Sequence, residues 1–282
     1  MSTIDLDAYF ARIGFTGARA PTLDTLGQIH LKHALAIPFE NIDPLIGRTP
    51  QLDLLSLHQK MVLGGRGGYC FEHNALFRHA LEALGFEVSG LAARVMWNVP
   101  EGVLTGRGHM LLRIDLRGTS YVADVGFGGQ TLTGPLVLEP NVEQTTPHEP
   151  YRLIPVSREA SRRSGGDFIM ETKVGHEWRS LYRFDLLPQF PPDYEVTNFY
   201  LANHPTSPFV TGLMGARPAE GKRYALRNNV FTTHSLSAAA KEQRTLTSVA
   251  EWRAVLEGPF GITLPDTPAL DAALERVLAS SS

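Results

Sequence analysis

The period of the hydrophobic pattern changes at residue 86, and that change limits the folds open to this chain. Before it, apolar residues recur at helical spacing between strong stops. Residues 4–13 are amphipathic and close at Gly14; 22–36 start on a threonine cap signal and end before Pro38. A third helix is expected over 52–63, stopped by Gly64 and Gly65. A fourth runs over 70–84, with Gly85 as its stop and Phe86 as the apolar contact beyond it. Cys70, Asn74, Phe77, Leu81 and Leu84 lie on one stripe of that helix. After residue 87 the runs are short, apolar or β-branched, and bounded by Gly and Arg-Gly turns. Strands are expected over 88–95, 110–116, 121–127, 151–156, 168–172 and 178–184. Residues 187–208, rich in Pro, Asn, Ser and Tyr, read as a linker or crossover. The tail mixes strands near 224–226 and 230–232 with helices near 248–256 and 268–278. Helices, then antiparallel strands, then a mixed tail specify an α+β chain, not a doubly wound sheet.

Composition narrows the partners. Hydrophobic residues make up 43% of the 282, enough to bury a sizeable core. The net charge of −3 offers nothing to a polyanion, so no nucleic-acid partner is expected. Cys70 is the only cysteine, which excludes an intrachain disulfide. The opening MSTIDLDAYFARIG carries two aspartates and lacks a basic start with an apolar run, so no signal peptide is expected. No apolar run approaches the roughly 18 residues of a membrane span. The expected location is cytoplasmic.

The chemistry concentrates in Gly64-Gly65-Arg66-Gly67-Gly68-Tyr69-Cys70-Phe71-Glu72. Here a glycine-rich loop feeds the first turn of a helix, where unpaired N–H groups and the helix dipole favour a thiolate. A nucleophilic cysteine needs a base, and the base an orienter. Among ten histidines, His73 is near in sequence, but it shares one turn with Cys70 and leaves little room for a substrate between them. Read as half of a metal site, Cys70-x-x-His73 lacks a second cysteine. His109 opens an apolar strand. A two-residue turn at Arg117 and Gly118 sets His109 opposite Gly126 and Asp124 opposite Leu111. His109 and Asp124 are then diagonal neighbours on one face, with Cβ atoms roughly 7–8 Å apart. Cys70, His109 and Asp124 therefore read as nucleophile, base and orienter of acyl transfer. Gly126-Phe127-Gly128-Gly129 has room for an acyl group or a phosphate, but lacks the Gly-Lys-Ser/Thr end of a nucleotide loop.

Residues 66–72 resemble the active-site signature of the arylamine N-acetyltransferases. Pro38-Phe39-Glu40-Asn41, Ala93-Arg94-Val95, the strand-opening histidine and Asp124-Val125-Gly126-Phe127-Gly128 follow in family order. Ser235, after Phe231 to His234, is similar to the family's C-terminal region. The resemblance implies a helical bundle at 1–86 carrying the nucleophile, an antiparallel β-barrel at 87–200 carrying His and Asp, and an α/β lid at 201–282. It implies a cysteine-protease-like core, acetyl-CoA as cosubstrate without a metal, and an arylamine or hydrazine acceptor. By the same resemblance Cys70 takes the acetyl group in a ping-pong cycle. Thr105, Gly106, Phe127 and Gly128 match positions near coenzyme A or the acyl site, and Phe39, Val95 and Phe127 match the acceptor walls. Arg66 and Glu40 match an ion pair that braces the loop. Gly108 stands where many members carry a bulkier residue touching substrate or cofactor. The triad alone also fits an amide synthase or a transglutaminase-like or papain-like hydrolase, and an inert buried Cys70 would fit a binding module. Self-association is left open.

Overall fold

The computed structural model describes residues 3–237 and 241–281. Its first part is helical, as the periodicity requires. α1 (Leu6–Ile13) starts where Asp5 accepts from the Ala8 amide, and α2 (Leu23–Ala36) where Thr22 accepts from Thr25. The two-residue strand β1 (Phe39–Glu40) and the short α3 (Ile42–Leu45) follow. The third expected helix is α4 (Leu54–Leu57), which widens into a π-helical stretch over His58–Leu63. α5 (Cys70–Ala83) carries the cysteine on its first turn.

β2 (Glu87–Val95), β3 (His109–Leu116) and β4 (Thr119–Ala123) form an antiparallel meander. Arg117 and Gly118 have φ of 50° and 83°, the backbone that a two-residue hairpin turn requires. Leu112 pairs with Ala123 and Ile114 with Tyr121, which is the expected register. The returning strand, expected to reach residue 127, stops at Ala123. The next amides leave the ladder for side chains: Val125 N–H donates to Asn74 Oδ1 (3.2 Å) and Gly126 N–H to Asp124 Oδ1 (3.0 Å). β5 (Leu136–Val137), β6 (Tyr151–Pro155), α6 (Arg158–Ser164), β7 (Phe168–Val174) and β8 (Glu177–Phe184) complete this part. The strand order is β5-β4-β3-β2-β8-β7-β6, and bridges from Pro140 and Gln144 to β6 nearly close the sheet into a barrel.

β3 is buried on both faces because its two faces enter different cores. Met110, Leu112 and Ile114 pack with Leu76, Phe77 and Ala80 of α5, whereas Leu111 joins Val122, Leu153 and Tyr182 in the other core. His109 has the parity of Leu111, and it sits at the strand end where the helical bundle meets the sheet.

Residues 187–208, expected as a linker, are largely helical: α7 (Pro191–Asn203), then the start of α8 (Pro208–Thr211). Pro191 and Pro192 occupy the first helical positions, where a missing N–H is harmless, and Asp193 accepts from the Phe190 amide (2.8 Å). α7 is held by polar anchors, Tyr194 O–H to Leu91 O (3.1 Å) and Asn198 Nδ2 to Pro50 O (2.9 Å), so no apolar stripe announces it. β9 (Met214–Ala219), β10 (Lys222–Arg227), β11 (Val230–Ser235) and β12 (Lys241–Thr245) form a second sheet whose first strand is β1. α9 (Val249–Glu257) and α10 (Pro268–Ser281) cover it, with Trp252 packed among Leu226, Phe260 and Leu274 and against Ile42 of α3.

The architecture is α+β: a helical bundle, a nearly closed antiparallel barrel and an α/β C-terminal part. We propose three units at 1–86, 87–200 and 201–282, with α7 running across the second boundary. Among the described residues no helix is long and apolar enough to cross a membrane. Trp252 is fully buried and donates from Nε1 to Asn228 O (3.0 Å). Trp252→Ala should therefore cost about 3–5 kcal/mol, measured as a lowered urea midpoint.

Candidate active site

Two close backbone approaches explain the glycines around Cys70. A Cβ on Gly67 would lie 1.9 Å from Pro38 O, and one on Gly126 would lie 2.9 Å from Cys70 Cα. The first lets the loop pair with the chain before α3: Gly68 N–H donates to Pro38 O (3.3 Å) and Glu40 N–H to Gly68 O (2.9 Å). The second lets the segment after Asp124 press on the first turn of α5. Together they fix the thiol between bundle and barrel.

Cys70 is buried at 3% exposure, and its Sγ lies 3.7 Å from Gly108 O. His109 Nε2 donates to Asp124 Oδ2 (2.7 Å), both residues being buried, which leaves Nδ1 as the nitrogen available to the thiol. Burial works against the imidazolium. The charge and hydrogen bond of Asp124, followed by Cys70, outweigh it and raise His109 to about 10. Burial likewise opposes the Asp124 carboxylate, but His109, Asn74 and the Gly126 amide hold it below the usual value.

Sequence reasoning missed several supports. Asn74 Nδ2 donates to Asp124 Oδ1 (3.0 Å) and to Met110 O (2.7 Å), tying α5 to both hairpin strands. Its signal was a polar residue on the apolar stripe of α5. The Asp124 amide donates to His30 Nε2 (3.3 Å). The buried Tyr182 ring lies 4.9 Å from His109 and 5.3 Å from Phe127, centroid to centroid. Among the described residues its hydroxyl has no partner in hydrogen-bond geometry, and burial, followed by the charge of Asp124, pushes the phenol far up.

Arg66 and Glu40 form a buried pair (Nε to Oε1, 2.9 Å) inside a larger cluster. Arg66 also reaches Asp43 (3.2 Å), and Lys60 bridges Asp43 (2.5 Å) and Glu72 (2.7 Å). Three carboxylates thus face two cations. Burial, helped by Asp43 and Glu40 and opposed by Lys60, pushes Glu72 up to about 7.

The remaining expected positions lie around this centre. Phe127 meets the His109 ring edge-on at 5.2 Å. A Cβ on Gly128 would touch the Phe39 ring at 3.4 Å, and one on Gly108 would meet Leu201 at 3.7 Å. Val95 ends β2, and its carbonyl accepts from Thr105 Oγ1 (2.8 Å). Gly106 is exposed beside Thr105, and Ser235 ends β11.

The family model described as N-acetyltransferase matches residues 22–269 of this chain. The arylamine N-acetyltransferase of Escherichia coli K12 is 43% identical over 262 residues, 93% of this chain and 90% of the relative. That of Mycobacterium tuberculosis H37Rv is 40% identical over 284 residues, 98% of this chain and 96% of the relative. Among solved structures, the M. tuberculosis arylamine N-acetyltransferase superposes with a TM-score of 0.89 at 39% identity, covering 96% of this chain and 99% of that one. The Mycobacterium marinum arylamine N-acetyltransferase in complex with CoA gives 0.89 at 37% identity, with 97% and 99% covered. The chain belongs to the arylamine N-acetyltransferase family, and its activity is acetyl transfer to arylamines.

The perturbed pair has a pH signature. His109 is raised, so its stabilising share is complete below about 6.5 and is lost as the pH climbs through about 10. Asp124 is lowered, so its share is present above about 3.9 and is lost as the pH falls through its lower folded value. Nitrogen-15 NMR of histidine-labelled protein should show His109 as an imidazolium at pH 7.5, and Asp124→Asn should return it to a neutral ring there. A neutral wild-type ring at pH 7.5 would contradict the assignment.

Proposed function

We propose that the chain moves an acetyl group from acetyl-CoA to the nitrogen of an arylamine or arylhydrazine through an acetyl-cysteine intermediate. The observation that carries this reading is the 2.7 Å His109–Asp124 contact beside Cys70 on the first turn of α5. In the first half-reaction the Cys70 thiolate attacks the thioester carbonyl. The tetrahedral oxyanion collapses, the CoA sulfur leaves, and it takes the proton from His109. In the second half, the amine nitrogen attacks the acetyl-cysteine and gives its proton to His109 as the C–S bond breaks. Cys70 is then a thiolate beside an imidazolium again. Asp124 keeps the ring in one tautomer throughout and stabilises its charged form.

The CoA complex of the M. marinum enzyme supports acetyl-CoA as the donor. Thr105, Gly106, Phe127 and Gly128 are assigned to the donor side, and Phe39, Val95, Phe127 and Gly108 to the acceptor side. The close approach of Phe39 to Gly128 supports adjacent donor and acceptor sides. A cytoplasmic location completes the reading.

Cys70→Ser should abolish acetyl transfer while the protein stays folded, because a hydroxyl is a far weaker nucleophile at this position. Wild-type turnover in that variant would rule out the covalent route. Mixing the enzyme with acetyl-CoA and no acceptor should add one acetyl mass to the Cys70 peptide. Intersecting double-reciprocal lines without the adduct would favour transfer in a ternary complex. Asp124→Asn should slow acetylation by about 100-fold or more, read as adduct formation over time.

A further inference from the structure

Three residues of the bundle that take no part in this chemistry form a hydrogen-bond chain ending at the acceptor side. Tyr9 O–H lies 2.8 Å from His33 Nδ1, His33 Nε2 lies 3.0 Å from His73 Nδ1, and His73 Nε2 lies 3.1 Å from Pro38 O. Tyr9, His33 and His73 are at most 1% exposed. We propose that Tyr9, His33 and His73 act as a one-way relay that positions the Pro38–Phe39 segment, making His73 a positioning residue for the acceptor amine. The proposal rests on the acceptor role given above to Phe39.

The direction of the chain follows from its last member. A carbonyl oxygen can only accept, so His73 must carry its proton on Nε2 and accept on Nδ1. His33 must then donate from Nε2 and accept on Nδ1, and Tyr9 must donate its hydroxyl proton. Each ring has one tautomer, set by its neighbour. Both rings stay neutral across the ordinary range. Burial lowers His73 to about 4; burial, then His73, His30 and Arg12, lower His33 well below its usual value.

What the relay holds is adjacent to the site. Pro38 O also accepts from Gly68 N–H (3.3 Å), two residues before Cys70. The Phe39 ring lies parallel to the His73 ring within 8°, with centroids 6.5 Å apart, and it also meets Gly128 and Phe209. If Pro38 O loses the His73 donor, it is left with the longer Gly68 bond (3.3 Å), and the peptide that carries the acceptor wall is held less tightly at its start. His109 and Asp124 are not members of the chain.

The test compares Tyr9→Phe, His73→Phe and His73→Gln with wild type. Gln retains an N–H able to reach Pro38 O, whereas Phe retains only ring volume. Tyr9→Phe and His73→Phe should raise the KM for a fixed arylamine by about tenfold, the equivalent of one lost hydrogen bond. Iodoacetamide labelling of Cys70 should keep its wild-type rate, and His73→Gln should restore most of the acceptor KM. Unchanged KM in folded Tyr9→Phe, or no rescue by Gln, would overturn the proposal. Because Tyr9→Phe removes a single hydroxyl, it carries the test where His73→Phe fails to fold. Nitrogen-15 NMR supplies a readout independent of activity: His33 and His73 should both be neutral with the proton on Nε2 at pH 7. A different tautomer overturns the relay whatever the activity. Wild-type protein that acetylates no arylamine while showing both tautomers overturns the acceptor assignment and not the hydrogen-bond chain.

Discussion

The buried carboxylate of Asp124 is the contact on which the site depends. A buried charge is tolerated only when it is paired and hydrogen-bonded. Here the bonds come from separate parts of the fold: His109 from β3, Asn74 from α5 and the Gly126 amide from the loop that follows. The Asp124 amide is held in turn by His30 of α2. Satisfying one aspartate therefore requires the bundle and the barrel to meet in one arrangement, and the same arrangement brings Cys70 to His109. Removing any one partner leaves a charge with too few donors in a site that water does not readily reach, so fold and chemistry share this constraint.

The hairpin was legible because its information is local. Turn residues that accept positive φ, and alternation on both sides, fix a register without knowledge of the rest of the chain. The glycine run before Cys70 was legible for a similar reason: a Cβ at Gly67 has nowhere to go, so the requirement is written as a residue type. α7 was not legible. Its prolines read as breakers although they occupy the first turn, and its anchors are hydrogen bonds to groups distant in sequence. β12 escaped because Lys241–Thr245 is exposed throughout and carries no apolar alternation. It is an edge strand, and charge there guards against unwanted pairing. Asn74 shows an intermediate case: the anomaly was visible on the stripe, but its partner lies 50 residues away.

The loop before Cys70 is braced on two sides by different physics. On one side is the ion cluster of Glu40, Asp43, Lys60, Arg66 and Glu72, which ties α3, the π-helical stretch and α5 together. Buried ion pairs seldom add much net stability over apolar packing, since desolvation offsets most of the attraction. Their effect here is geometric. Arg66 needs its bonds to Glu40 and Asp43, so the loop cannot shift without leaving a buried charge unpaired. On the other side neutral groups meet Pro38 O, at a smaller desolvation cost and with directional bonds. Charge resists displacement of the loop, and hydrogen-bond direction resists its rotation.

Three fully buried histidines show which force decides their charge state. His30 and His73 are lowered to about 4, whereas His109 is raised to about 10. Desolvation is the largest influence on each, and it acts in the same direction in all three. Burial therefore cannot explain the difference. Proximity to Asp124 is not sufficient either, since its charge raises His30 as well, and His30 remains low. The distinction is the atom each ring meets. His109 donates to the carboxylate itself, so protonating the ring strengthens an existing bond. His30 accepts from the backbone N–H of the same residue, so protonating Nε2 would break a bond and set two donors against each other. His73 donates to a neutral carbonyl and accepts from His33, and a proton on Nδ1 would meet the same conflict. One ring is thus prepared to carry charge and the others to stay neutral, by hydrogen-bond polarity within a single core.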